Sequence, residues 1–220
     1  MAGLGGLALV LPAALANCAD STSPMPPSTR LSRTIGPNDA VTLDFSSDIG
    51  VANYAYALEQ LEARFYNIVT DNPASDLLAG ELAILNDIRA HESVHRDFLR
   101  VYLGAAAIPK LTFDFSSVDF TSRASVLATS RVFEDLGVAA YNGAGELLTD
   151  PQNLLLAGKI VSVEARHAAA IRDLIDPRSR FFAGDDVIDA NGLDRAFDPL
   201  TVLAAADPYI VNPINVVGLP

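Results

Sequence analysis

With a single cysteine, Cys18, in 220 residues, neither an internal disulfide nor a thiolate-built metal site is open to this chain. Any bound metal must be held by carboxylates and imidazoles, and only three histidines are present to supply the latter. Basic side chains are scarce too: 15 Lys plus Arg stand against 27 Asp plus Glu, a formal net charge of -12. They are scattered rather than clustered, so nucleic acid is excluded as a partner, because phosphate recognition needs a concentrated basic surface. Long apolar runs are also missing. Residues 1–17, the best candidate, fall short of the roughly 20 residues a spanning helix needs, so no transmembrane helix is expected in the mature chain.

Half of the residues are hydrophobic, which allows one sizeable core and argues against two independent domains. Residues 1–18 read as an export segment: 1–17 are small, apolar and uncharged, although the basic stretch that usually opens such a segment is missing. An exported, periplasmic or cell-envelope protein is expected. Leu15-Ala16-Asn17-Cys18 is close to a lipoprotein cleavage box, but Asn17 stands where Gly, Ala or Ser is wanted, so a lipid anchor at Cys18 is the weaker option. Residues 19–45 are rich in Ser, Thr and Pro without helical period and read as a linker or wrapping arm. Residues 46–176 carry helical periodicity, and 177–220 form a C-terminal extension with one brief helical run near Pro199 to Ala206.

Within the central region Ala52, Ala55, Leu58, Phe65 and Val69 recur at helical steps and predict a helix from about Ile49 to Val69, closed by Asn72-Pro73. A second helix is predicted from about Ala74 to Leu103 through Leu78, Leu82, Leu85, Ile88, Val94 and Leu99, with Gly104 as its stop. The third runs from about Thr121 to Leu148 and the fourth from about Gln152 to Ile175. Between the second and third, residues 105–120 alternate as Leu111, Thr112, Phe113, Asp114, Phe115, an extended pattern. At about 3.3 Å per residue that segment can span the length of a bundle helix. The expectation is an all-α four-helix bundle of two antiparallel helix pairs joined by one long crossover.

The chemistry lies in a repeated pattern. Glu59 is followed by Glu92-Ser-Val-His95, and Glu134 by Glu164-Ala-Arg-His167. In Glu-x-x-His the two ligands share one helix face, and two such pairs plus one glutamate from each remaining helix make the ligand set of a two-metal centre. The midpoint of Glu59 and Glu92 falls between residues 75 and 76, and that of Glu134 and Glu164 at 149, so each hairpin turn brings its carboxylates level. Four buried carboxylates would repel and take up protons, whereas two divalent cations neutralise them. Glu81 and Glu146 lie about three turns away and are expected to be solvated. Glu62, one turn from Glu59, is the competing ligand on the first helix. Glu59 is preferred because Tyr66 follows it by seven residues, as Tyr141 follows Glu134. Either tyrosine could donate a hydrogen bond near the metals or carry an electron, or be an ordinary buried tyrosine. His91 is turned about 100° from Glu92 and is expected beside the site or exposed. Small residues Gly137 and Ala63 beside the ligands would leave room for dioxygen, peroxide or water, and Val138 would narrow it.

Tyr56 to Tyr66 (YALEQLEARFY), His91 to His95 (HESVH), Glu134 to Ala144 (EDLGVAAYNGA) and Ser162 to Ala169 (SVEARHAA) resemble the exported ferritin-like domain proteins of bacteria, related to plant desiccation-related proteins. The resemblance covers about Ser46 to Ile175, with an echo in AFDPLTVLAAADPYI. It implies a ferritin-like bundle and the metal ligands Glu59, Glu92, His95, Glu134, Glu164 and His167, holding two Fe ions or alternatively two Mn ions. Many relatives with such centres place an aspartate before each Glu of the Glu-x-x-His pair, to orient the opposite histidine; here those places hold His91 and Val163. The channel-lining helix of cage-forming storage ferritins has no counterpart in 176–220, which argues against a cage. The implied function is oxidation of Fe(II) or consumption of dioxygen or peroxide. A di-manganese catalase-like enzyme is one alternative, and a non-enzymatic stress- or desiccation-protective envelope protein with a structural metal site is another. A homodimer is compatible with each.

Overall fold

The computed structural model describes Gly36 and residues 38–220; the expected export segment and Cys18 lie outside the described residues. The chain forms strand β1 (Val41–Asp44), helix α1 (Asp48–Asp71), helix α2 (Glu81–Leu103), helix α3 (Arg123–Ala144), helix α4 (Pro151–Ile175), a short helix α5 (Pro199–Ala206) and strand β2 (Ile214–Val217). α1 pairs with α2 and α3 with α4, each pair antiparallel across a short turn, and the two pairs joined by the long crossover make the expected all-α four-helix bundle. Among the described residues no helix is long and apolar enough to cross a membrane.

Local chemistry sets the boundaries. α4 starts at Pro151 behind Asp150, whose carboxylate accepts from the Gln152 N–H, and α5 repeats the device with Asp198 before Pro199. α2 starts seven residues later than its periodicity suggests. Residues 73–80 are turns instead, ending at Gly80 with φ 90, a conformation that favours glycine. Leu78, expected on the buried face, is accordingly 60% exposed, and Val94 is 65% exposed. The face α2 buries runs through Leu85, Ile88, Glu92, Leu99 and Leu103. α3 stops at Ala144, four residues early, and its last stretch tightens into a 3-10 turn over Gly145–Leu147.

The crossover runs beside α1 for most of its length, held by polar α1 side chains in a largely apolar setting. Asn53 donates to the Ala106 carbonyl and accepts from the Ile108 N–H, and Gln60 accepts from the Leu111 N–H. Farther on, Phe115 and Phe120 pack on Phe65, and the Arg123 N–H reaches Asp76. These bonds satisfy backbone groups that an extended segment would otherwise bury unpaired. The stretch read as a linker ends in β1, which pairs in parallel with β2, Val41 opposite Ile214. The C-terminal extension is stapled to α3 and α4 by Arg172, which is buried and bonds Asp135, Asp186 and the Phe181 carbonyl.

Candidate metal centre

Glu59, Glu92, Glu134 and Glu164 meet at mid-bundle with no solvent exposure, one from each of α1 to α4. The turn between α1 and α2 spans residues 72–80, centred on 76, so the first pair is level as its midpoint requires. His95 and His167 join their helix partners one turn along, and both turn Nδ1 inward. His95 Nδ1 lies 2.9 Å from Glu164, 3.6 Å from Glu59 and 3.7 Å from Glu92. His167 Nδ1 lies 2.8 Å from Glu92, 3.3 Å from Glu134 and 3.7 Å from Glu164.

Two four-residue groups could each hold an ion: Glu59, Glu92, His95 and Glu164, and Glu92, Glu134, Glu164 and His167. Glu92 and Glu164 belong to both. The two oxygens of each divide between the groups, Glu92 Oε2 and Glu164 Oε1 toward His95, Glu92 Oε1 and Glu164 Oε2 toward His167. Glu59 and Glu134 contribute one oxygen each, because the other is taken. Tyr141 donates its hydroxyl to Glu59 Oε1 at 2.6 Å, and Tyr66 to Glu134 Oε1 at 2.5 Å. Each tyrosine thus holds the glutamate of the opposite hairpin.

The remaining inward atoms have no hydrogen-bond partner: Glu59 Oε2, both oxygens of Glu92, His95 Nδ1, Glu134 Oε2, both oxygens of Glu164 and His167 Nδ1. The nitrogen and oxygen atoms approach closely but aim at common points rather than along donor directions. Eight buried acceptors converging without donors is a costly arrangement by itself and a suitable one for two cations. The set is oxygen and imidazole, which suits iron or manganese.

Protonation preferences carry the same message. Burial, then the charge of Glu164, raises Glu59 and pushes Glu92 well above the usual carboxylate range. Burial raises Glu134 to about 7 against the pull of His167. Glu164 goes the other way, to about 2, because His167 and His95 outweigh its burial. Burial opposes charge on His95 and His167, yet the surrounding carboxylates push both up to about 12. Without a cation the pocket therefore collects protons.

Sequence reasoning gave these six residues and both tyrosines a place together, and the structure brings all eight side chains to one site. One neighbour, Glu62, has a larger part than the sequence suggested, while His91 stands beside the site and exposed, as expected. Glu62 is buried beside Glu59, and burial plus four nearby carboxylates hold it well above its usual range. Its Oε1 reaches to 3.2 Å from where a Gly137 side chain would begin, with Glu164 Oε2 at 3.6 Å, so Gly137 makes room for Glu62. The signal was available, since Glu62 and Gly137 each follow a glutamate ligand by three residues. His91, exposed at the α2 surface, places Nδ1 2.9 Å from His167 Nε2. It thus occupies the role of the missing aspartate for one histidine, and no such bond reaches His95 among the described residues. Glu146 is exposed, as expected, but Glu81 is buried and bonded to Arg123 and the Leu78 N–H.

A protein-family model described as ferritin-like domain matches residues 47–177, more than half of the chain. No curated protein matches it.

Proposed function

Because the chain belongs to the ferritin-like domain family, we propose that it is a di-metal oxidoreductase. In this reading its inward-facing donors would hold two iron ions, and dioxygen or peroxide would be the oxidant that takes electrons from them or from further Fe(II). The observation that carries this reading is the set of eight unpartnered donor atoms, four toward each ion position. Two ferrous ions would supply two electrons, enough with two protons to take dioxygen to hydrogen peroxide, or hydrogen peroxide to two waters.

The protein's own groups do the positioning. Glu92 and Glu164 belong to both donor groups and would hold both ions. Glu59 and Glu134 would each offer an ion one oxygen, because a tyrosine hydroxyl occupies the other. A ligating His167 must present Nδ1 unprotonated, so its proton sits on Nε2 and is donated to His91 Nδ1. Burial and the adjoining carboxylates keep Tyr66 and Tyr141 protonated far above the usual phenol range.

The test is anaerobic loading of the natively purified protein with Fe(II), followed by dioxygen or peroxide. The expected result is about two irons per chain and consumption of the oxidant in step with iron oxidation. Dioxygen released from peroxide by manganese-loaded protein would replace iron with manganese in this reading. A loaded protein inert to Fe(II), dioxygen and peroxide would reduce the centre to a structural one.

A further inference from the structure

The two ends of the bundle are filled differently, and the internal repeat makes the difference readable residue by residue. Glu59 and Glu134 are 75 positions apart, Glu92 and Glu164 72 apart, so residues of α1 map onto α3 and those of α2 onto α4 at the opposite end. Phe65 then corresponds to Ala140, Val69 to Ala144, Leu127 to Ala52, Phe133 to Leu58 and Leu85 to Ala157. At the Tyr66 end Phe65 and Phe133 meet edge to face at 5.1 Å, Phe115 and Tyr209 close around them, and Tyr66 is sealed from solvent. At the Tyr141 end the smaller counterparts leave a cavity of about 50 Å³ among all four helices. The ring of Tyr141, unlike that of Tyr66, is partly accessible.

This cavity lies beside the metal centre, with Tyr141 between them. Leu58 in its wall precedes Glu59, Leu99 follows His95 by one turn, and Ile160 precedes Glu164 by one turn. Tyr141, also in the wall, bonds Glu59. On the outer side the hydrogen bond from Tyr102 to Asn153, 2.9 Å, crosses the seam between α2 and α4. The cavity opens toward the surface, but its wall is almost wholly carbon, so a water inside it would find few of the two or more polar partners it needs, which favours an apolar guest. Water and peroxide would lose hydrogen bonds on entering, and dioxygen has none to lose.

We infer that the alanine-lined end of the bundle is a chamber that admits a small apolar molecule, dioxygen, to the Tyr141 side of the centre. The identity of the guest rests on the oxidative reading above; the chamber itself does not. Xenon is the probe, applied to the metal-loaded full chain by xenon NMR or by pressurising crystals. The expected result is one xenon between Ala140, Ala157 and Tyr141. It should vanish in Ala140→Phe and in Ala157→Leu, which restore the side chains of the opposite end. Either variant that keeps its metals should react with dioxygen more slowly, on the order of tenfold, because entry is blocked. Should Ala140→Phe fail to fold, Ala157→Leu carries the test alone. No xenon at this place in the wild type would overturn the inference, and so would dioxygen consumption at the wild-type rate in a folded, xenon-free variant. Xenon bound in a wild-type protein inert to dioxygen would uphold the chamber as an apolar binding site and remove only the oxidative reading.

Discussion

The α1–α2 hairpin and the α3–α4 hairpin bring the same kinds of side chain to the cluster and give them opposite surroundings. Each supplies one glutamate pinned by the other's tyrosine, one glutamate facing both ion positions, and one histidine. Around that shared set, α1 has Glu62 where α3 has Gly137, and α2 has His91 where α4 has Val163. Phe65 on α1 likewise answers to Ala140 on α3. The difference teaches that the repeat is kept where charge must be balanced and abandoned where a guest, a proton or a neighbour has to be told one side from the other. Glu62 and Gly137 illustrate the coupling: the fifth carboxylate fits because its counterpart has no side chain.

The largest expected effect breaks the symmetry at its centre. Glu92→Ala removes a carboxylate common to both groups, so both ions should be lost and metal analysis should fall from about two per chain to near none. Retention of one ion would mean that the hairpins act separately.

Next is the contrast between bundle ends, read by chemical denaturation. Phe133→Ala opens the aromatic plug and should cost about 3–5 kcal/mol, whereas its counterpart Leu58→Ala enlarges an existing cavity and should lie near the low end of the usual range of about 2–5 kcal/mol. Equal losses would deny that the two ends are packed differently. His91→Ala should weaken the ion on the His167 side by about 10–100-fold in a metal titration, while Val163→Ala leaves the His95 side unchanged.

The smallest effect concerns pH and the metal-free protein. Glu134, His95 and His167 have folded values raised above their ordinary ones, so their contribution is full at low pH and declines as pH rises through those values, for Glu134 between about 4.5 and about 7. Glu164 is lowered to about 2, so its contribution holds above its ordinary value and is lost as pH falls. Melting temperature without metal should therefore be highest in mildly acid solution and decline toward pH 8. Loading should become tighter over the same rise, because cations and protons compete for the same atoms. A metal-free protein that grows more stable toward pH 8 would contradict the crowding of its carboxylates.

Much of this was written in local spacing. Helical periods, Pro and Gly stops and the midpoint relation located the helices, the crossover and the ligand level, because each depends on residues close in sequence. The start of α2 was hidden, since Leu78 and Leu82 keep the helical step while Gly80 interrupts it. Glu81 looked solvated because its partner Arg123 lies 42 positions away. The place of His91 beside the site was legible but its partner was not, since only the packing of α2 against α4 brings it to His167. The parallel pairing of β1 and β2 joins residues some 173 positions apart, from four-residue stretches too short to announce themselves.

That pairing has a mechanical consequence. Because β1 immediately precedes α1 and is zipped to β2, a tug transmitted through residues before Val41 meets β2 before it meets the bundle. The β1–β2 ladder thus stands between that segment and the helices that carry the carboxylates.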